Sequence, residues 1–166
     1  MSFRVESRIP HGNACAVDVR EEGSLCRISF QADPHGGPEC LWFCLRVVAD
    51  ERRTKTISEL ELVLENPHNL LGGARPENFR PVLRSADADW ERLPAPVVTN
   101  LPDGRAVAAW RVPAPREWLE LAFCYPYGPE QLRKLDAATR RCWNSDVIGV
   151  SQGGRELLRL SNRYGQ

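Results

Sequence analysis

The chain has 166 residues, 22 of them basic and 22 acidic, which suits one domain or one domain with a short tail. Nothing in that balance recruits nucleic acid or an anionic membrane surface, because both need clustered positive charge. No apolar run approaches the roughly 18 residues of a membrane-spanning helix. The opening Met1-Ser2-Phe3-Arg4-Val5-Glu6 also lacks a basic segment followed by an apolar stretch, so a cytoplasmic setting is expected.

In chain order the sequence reads as short strands separated by turn residues. Ala14 to Arg20 and Leu25 to Gln31 flank Glu21-Glu22-Gly23-Ser24, which predicts a hairpin. In its second strand Cys26, Ile28 and Phe30 face a core while Arg27 and Ser29 face out. Asp33 to Pro38 is a loop, with proline at both ends of a His-Gly-Gly turn. Cys40 to Val48 is apolar on both faces, as a central strand covered on both sides would be. Ile57 to Glu65 alternates, with Leu60, Leu62 and Leu64 inward and Glu59 and Glu61 outward, until Asn66-Pro67 ends it. A glycine-containing loop leads to a strand over Phe79 to Arg84, and Pro94 and Pro96 make the segment around Val97 and Val98 edge-like. The turn Asn100 to Gly104 introduces Ala106 to Val112, and Trp118 to Cys124 alternates again with Leu119, Leu121 and Phe123 on one face. The fold class predicted is mainly β, an antiparallel β-sandwich of about eight or nine strands with one C-terminal helix.

The helix is expected over about 129–143, starting with Pro129 at its first position, where a missing N–H costs nothing. Leu132, Leu135, Thr139 and Cys142 recur at helical spacing, and Arg133, Lys134, Arg140 and Arg141 lie elsewhere around the cylinder. Val147 to Val150 and Glu156 to Leu160 then form a strand pair around Ser151-Gln152-Gly153-Gly154-Arg155. An all-β block, one helix and a strand pair that stops abruptly read as a sandwich domain with a connecting helix over 1–145. Residues 146–166 then lead towards a second domain.

Chemistry is sparse. The six cysteines sit mostly in apolar strand-like runs, without a disulfide framework, and are expected to be free, buried thiols. His11, His35 and His68 all fall in polar, turn-like segments, none with a second ligand at helical or strand spacing. A zinc hydrolase needs two or three such ligands around one open position, so no catalytic residue, metal ligand or cofactor is assigned within this chain. Phosphate-loop and nucleophile-elbow spacings are absent. What stands out is a set of arginines and aromatics: Arg80, Trp90 and Arg92, then Tyr125 and Tyr127 immediately before the helix. Trp90 and Trp110 are expected to fill core, while a tyrosine, arginine and tryptophan rim is also what protein interfaces use.

In their order these residues resemble the amino-terminal domain of the cytosolic carboxypeptidases. These are the subgroup of M14 zinc peptidases that includes the tubulin deglutamylases and bacterial relatives. The matching features are Gly12-Asn13, Trp42-Phe43 with Arg46-Val47, Asn66, Arg80-Pro81-Val82, and Ser85 with Trp90 and Arg92. Tyr125-Pro126-Tyr127 follows, then Ile148-Gly149 with Ser151, Gly154 and Arg155. Cys44 stands where the family usually has an aromatic residue. The resemblance implies a non-catalytic accessory domain that supports folding, active-site access or partner binding. Zinc and catalysis would belong to a peptidase domain beyond Gln166, because the family's histidine–proline–glycine–glutamate motif matches nothing here. The partners it implies are that peptidase domain and protein or peptide substrates of the parent enzyme. Arg80, Trp90, Arg92, Tyr125 and Tyr127 are candidates for the junction or for contacts to the peptidase domain. The other reading is a free-standing β-sandwich that binds a peptide or glycan through its aromatics.

Overall fold

A computed structural model describes residues 2–52, 56–139 and 142–162, so Arg140, Arg141 and the 163–166 tail lie outside it. The chain divides into two compact units, Met1–Pro126 and Tyr127–Gln166.

The first unit consists of two five-stranded sheets with a common core, a β-sandwich. Sheet one has the order β1-β4-β10-β6-β7, formed by Phe3–Glu6, Cys44–Ala49, Trp118–Ala122, Val82–Ser85 and Glu91–Arg92. Sheet two has the order β2-β3-β5-β9-β8, formed by Ala14–Glu22, Leu25–Ala32, Glu59–Leu64, Ala106–Pro113 and Val97–Asn100. Alternation along each strand decides which side chains meet between the sheets. Leu45, Val47, Leu119 and Leu121 come from sheet one, and Ile28, Phe30, Leu60, Leu62, Leu64 and Trp110 from sheet two. Phe43 stacks edge-on against Phe30 and Phe123, with ring centroids 5.3 and 5.7 Å apart.

All pairings but one named strand pair are antiparallel; β3 and β5 run parallel, with Leu25 opposite Glu59 through Phe30 opposite Leu64. The reason is topological. Parallel neighbours cannot be joined by a tight turn, and here the connection crosses to sheet one through β4 before returning as β5. The predicted strand over Cys40 to Val48 is also shorter than its apolar run. β4 begins at Cys44, and Cys40 instead forms an isolated bridge with Leu70. Ahead of β4, Cys40 and Phe43 are buried while Leu41 is 71% exposed, so apolarity on both faces does not mark extended pairing here.

Two buried asparagines hold the ends of the sandwich, which explains two of the sequence features noted above. Asn66 reaches back to Ala32: its carbonyl accepts the Ala32 N–H and its amide donates to the Ala32 carbonyl, both at 2.9 Å. The side chain thus takes the place of one more strand residue where β5 has ended. Asn13 donates to the Trp42 carbonyl at 2.7 Å and accepts the Cys44 N–H at 3.1 Å, tying the start of β2 to β4. Its neighbour Gly12 is obligatory, since a Cβ there would lie 2.0 Å from the Ser7 carbonyl oxygen.

The second unit has the helix α1, Pro129–Thr139, and a hairpin of β11, Trp143–Val150, and β12, Glu156–Asn162. The Gln131 side chain accepts the Gly128 N–H at 3.0 Å, closing the first turn of α1. The hairpin turn is closed by Ser151, whose hydroxyl accepts the Arg155 N–H at 3.0 Å, and by Gly154 at φ 74°. Asp146 and Arg159 pair across the strands at 2.6 Å, while Val147, Ile148 and Val150 are exposed. The strand pair is longer than its sequence signal because Trp143 to Asp146, a mostly polar stretch with no apolar alternation to announce it, continues the pairing.

Among the described residues no helix is long and apolar enough to cross a membrane. The described cysteines are all free, but only Cys26, Cys40 and Cys44 are buried; Cys15 is half-buried, and Cys124 and Cys142 are exposed. The apolar neighbours of Cys124 and Cys142 in the sequence do not enclose them, since one follows the last strand of the sandwich and the other follows α1.

Candidate functional site

The outer face of sheet one carries a charge ladder that register alone creates. Glu6 lies opposite Arg46, Arg46 opposite Glu120, and Glu120 opposite Arg84, each on a neighbouring strand. Because Val47, Leu119, Leu121 and Leu83 must point into the core, these four residues must point out. Arg46 donates to one Glu120 oxygen from Nε at 3.0 Å and from a terminal nitrogen at 2.6 Å. Arg84 donates to the other oxygen from Nε at 2.7 Å. Arg4 pairs with Glu6 at 2.8 Å, and Glu6 comes within 3.9 Å of Arg46.

Indole rings cover this row. Trp118, two residues before Glu120 on β10, lies 5.0 Å from the Arg46 guanidinium carbon and 5.6 Å from that of Arg84. Trp90 lies 4.8 Å from Arg84. It sits one residue beyond the Leu83–Glu91 pair, the place across from Arg84 in an antiparallel register. Planar guanidinium stacks on indole faces readily because it is weakly hydrated and is drawn to the ring's negative face. Under this roof the Glu120 side chain is 6% exposed, although it is on the outside of the sandwich. Its two oxygens are satisfied by two guanidiniums, the condition for keeping a carboxylate away from water.

Beside the ladder, Cys44, Val82 and Ala122 form a small apolar patch on the same face, covered by Ile9, Trp42 and Trp90. His11 packs edge-on to Trp42 with ring centroids 5.7 Å apart. Burial first, and the Glu120 carboxylate second, push the Cys44 thiol up to about 12, so it stays protonated and inert.

The residues proposed from sequence fall in three places. Arg92 donates from a terminal nitrogen to the Arg80 carbonyl at 2.7 Å, and its guanidinium lies 5.3 Å from the Tyr125 ring centre. Arg80 donates to the Glu77 and Phe79 carbonyls at 2.7 and 2.9 Å. These three therefore gather at the β7 edge of sheet one. Trp90 joins the ladder instead and is half-buried on the outer face, whereas Trp110 is in the core with its indole N–H donating to the Pro94 carbonyl at 3.2 Å. Tyr127 is 59% exposed and belongs to the second unit. Sequence reasoning missed Glu120, Arg84 and Trp118. The signal was present in Trp118-Leu119-Glu120-Leu121, where alternation sends a tryptophan and a glutamate to one face of a strand, but their partners are 36 and 74 residues away.

Among the described residues no set fits a zinc ion. His11 packs on Trp42, the His35 ring is 3.7 Å from Asp33, and His68 is exposed in a short 3₁₀ turn. Among the described residues no three His, Cys, Asp or Glu side chains come together as metal ligands would.

With this geometry, a two-sheet sandwich followed by a helix and a hairpin, the chain is similar in fold to part of larger metallo-carboxypeptidases. Superposition on the metallo-carboxypeptidase from Burkholderia cenocepacia gives a TM-score of 0.64 at 17% identity, covering 96% of this chain and 39% of that one. The metallo-carboxypeptidase from Pseudomonas aeruginosa, solved in complex with (2-guanidinoethylmercapto)succinic acid, gives 0.65 at 17% identity, covering 95% and 39%. This chain therefore spans about two fifths of the length of either. No protein-family profile and no curated protein matches the sequence.

Proposed function

We propose that this chain is the non-catalytic amino-terminal accessory part of a zinc carboxypeptidase of the cytosolic subgroup. In this reading residues 1–145 are the accessory domain with its connecting helix, and 146–166 lead into the peptidase domain. The observation that supports it best is the unequal coverage, nearly all of this chain against 39% of each metallo-carboxypeptidase. The order of the sequence features, Gly12-Asn13 through Arg155, supports the subgroup. Zinc chemistry and cleavage of C-terminal residues from peptide or protein tails then belong to polypeptide outside these 166 residues, and the setting is cytoplasmic.

The work of the accessory part would be mechanical: to support folding, restrict access to the active site, or hold a partner. Arg80, Arg92 and Tyr125, gathered at one sheet edge, together with Trp90 and Tyr127, are the candidates for the junction or for contacts to the peptidase domain. The test has two arms. Sequencing the reading frame beyond Gln166 is expected to find a histidine–proline–glycine–glutamate motif, and a native stop codon there overturns the reading. A chelator-controlled carboxypeptidase assay of residues 1–166 on acidic-tailed peptides is expected to show no turnover. Activity lost on chelation would refute the non-catalytic assignment.

A further inference from the structure

The charge ladder on sheet one ends with an unanswered cation. Its alternation runs Arg4, Glu6, Arg46, Glu120, Arg84, three guanidiniums against two carboxylates. The next place in the row, across from Arg84, is taken by Trp90, which covers the guanidinium but cannot accept from it. Arg84 uses only Nε for Glu120, and among the described residues its two terminal nitrogens have no hydrogen-bond partner. The nearby acids do not supply one. Asp87, Asp89 and Glu91 are exposed and make no ion pair with Arg84. Its side chain remains 39% exposed.

From this geometry we propose that Arg84 is the anchor of a carboxylate-binding site, and that the ligand is an acidic side chain of a partner polypeptide. Three features make the guanidinium a prepared receptor rather than a solvated surface arginine. Its Nε is fixed by a buried carboxylate, and indoles at 4.8 and 5.6 Å restrict its plane. Much of the side-chain entropy that a free arginine loses on binding has therefore already been lost. The two terminal nitrogens form the parallel fork that accepts a carboxylate in bidentate fashion. The half-buried faces of Trp90 and Trp118 would cover the methylene stem of a glutamate. The site is independent of the accessory-domain reading, because every residue in it is on this chain.

The test is a titration of isotopically labelled 1–166 with an acetylated hexaglutamate peptide, followed by the NMR signals of arginine Nε–H and tryptophan indole N–H groups. Hexaglutamine serves as the neutral probe. The expected result is saturable movement of the Arg84, Trp90 and Trp118 signals by hexaglutamate alone, weakening as salt is raised. Arg84→Lys keeps the charge but removes the fork, and is expected to weaken binding at least about fivefold. Arg111→Lys, on the other sheet, is expected to leave it unchanged. Equal movement of Arg27 and Arg111 signals, or unaltered affinity in Arg84→Lys, would overturn the site. Inorganic phosphate binding at Arg84 as tightly as the peptide would overturn the carboxylate assignment. Should Arg84→Lys fail to fold, the wild-type shift map decides between the first two outcomes.

Discussion

The two sheets carry the same electrostatic motif on their outer faces, a glutamate flanked by two arginines on neighbouring strands, and treat it differently. On sheet two Glu61 lies between Arg27 at 2.7 Å and Arg111 at 3.4 Å, with the glutamate side chain 15% exposed and the arginines 47% and 63%. On sheet one Glu120 lies between Arg46 and Arg84, with exposures of 6%, 30% and 39%. Two tryptophans make the difference. Without a roof, ion pairs are screened and worth little; under one, the same pairs become a fixed polar network whose members depend on each other. Position in the sheet matters too. Sheet one brings Trp118 to the ladder from β10 and Trp90 from the position just before β7, while the row on sheet two has alanine, Ala109, beside Arg111 two residues along β9.

That contrast can be broken in steps. Glu120→Ala strands two half-buried guanidiniums and is expected to destabilise the sandwich by about 3 kcal/mol in denaturant unfolding. A loss no greater than that of the sheet-two equivalent would show that the indole roof is immaterial. Trp118→Ala removes the ring that touches both arginines, with an expected cost of about 2 kcal/mol. It should also raise the salt sensitivity of stability towards that of an exposed pair, checked by melts at low and high salt. A third test uses the thiol beneath the roof. Cys44 is raised to about 12 and Cys26, in the core, to about 11, from 9.0, chiefly by burial. A raised thiol pKa means that the folded state holds protons which the unfolded state releases. Stability is therefore unaffected below pH 9 and falls as pH rises beyond it, by about 1.4 kcal/mol per pH unit for each thiol. Cys15 and Cys40 are raised by burial too and add to the same loss. Replacing Cys44 by Ala should therefore lessen the alkaline slope by one thiol's share, up to about 1.4 kcal/mol per pH unit, and an unchanged slope would refute the assignment. The smallest effect is Glu61→Ala, expected at under about 1 kcal/mol by the same unfolding assay.

Much of the sandwich was legible in the sequence because its strands alternate cleanly where one face meets the core. Leu60, Leu62 and Leu64, and Leu119 and Leu121, all point inward as their spacing implies. The helix start at Pro129 and the hairpin around Gly154 were legible for equally local reasons. Cys40 to Val48 was misread as one strand because an apolar run does not record hydrogen bonding: Cys40 and Phe43 are buried ahead of β4, whereas Leu41 between them is exposed. The candidate site was legible only in fragments. Arg80, Arg92 and Tyr125 do gather, but through backbone carbonyls and a cation–aromatic contact that no spacing encodes.

The sequence by itself determined the class of the fold and the inward or outward assignment of most strand residues, since a period of two depends only on neighbours along the chain. Tertiary structure alone decided that β3 and β5 run parallel, and that Asn13 and Asn66 act as backbone surrogates. It also decided that Arg84 and Glu120 become partners. Each of these depends on strand order and register between segments tens of residues apart, which the burial of a shared core selects and local pattern does not record.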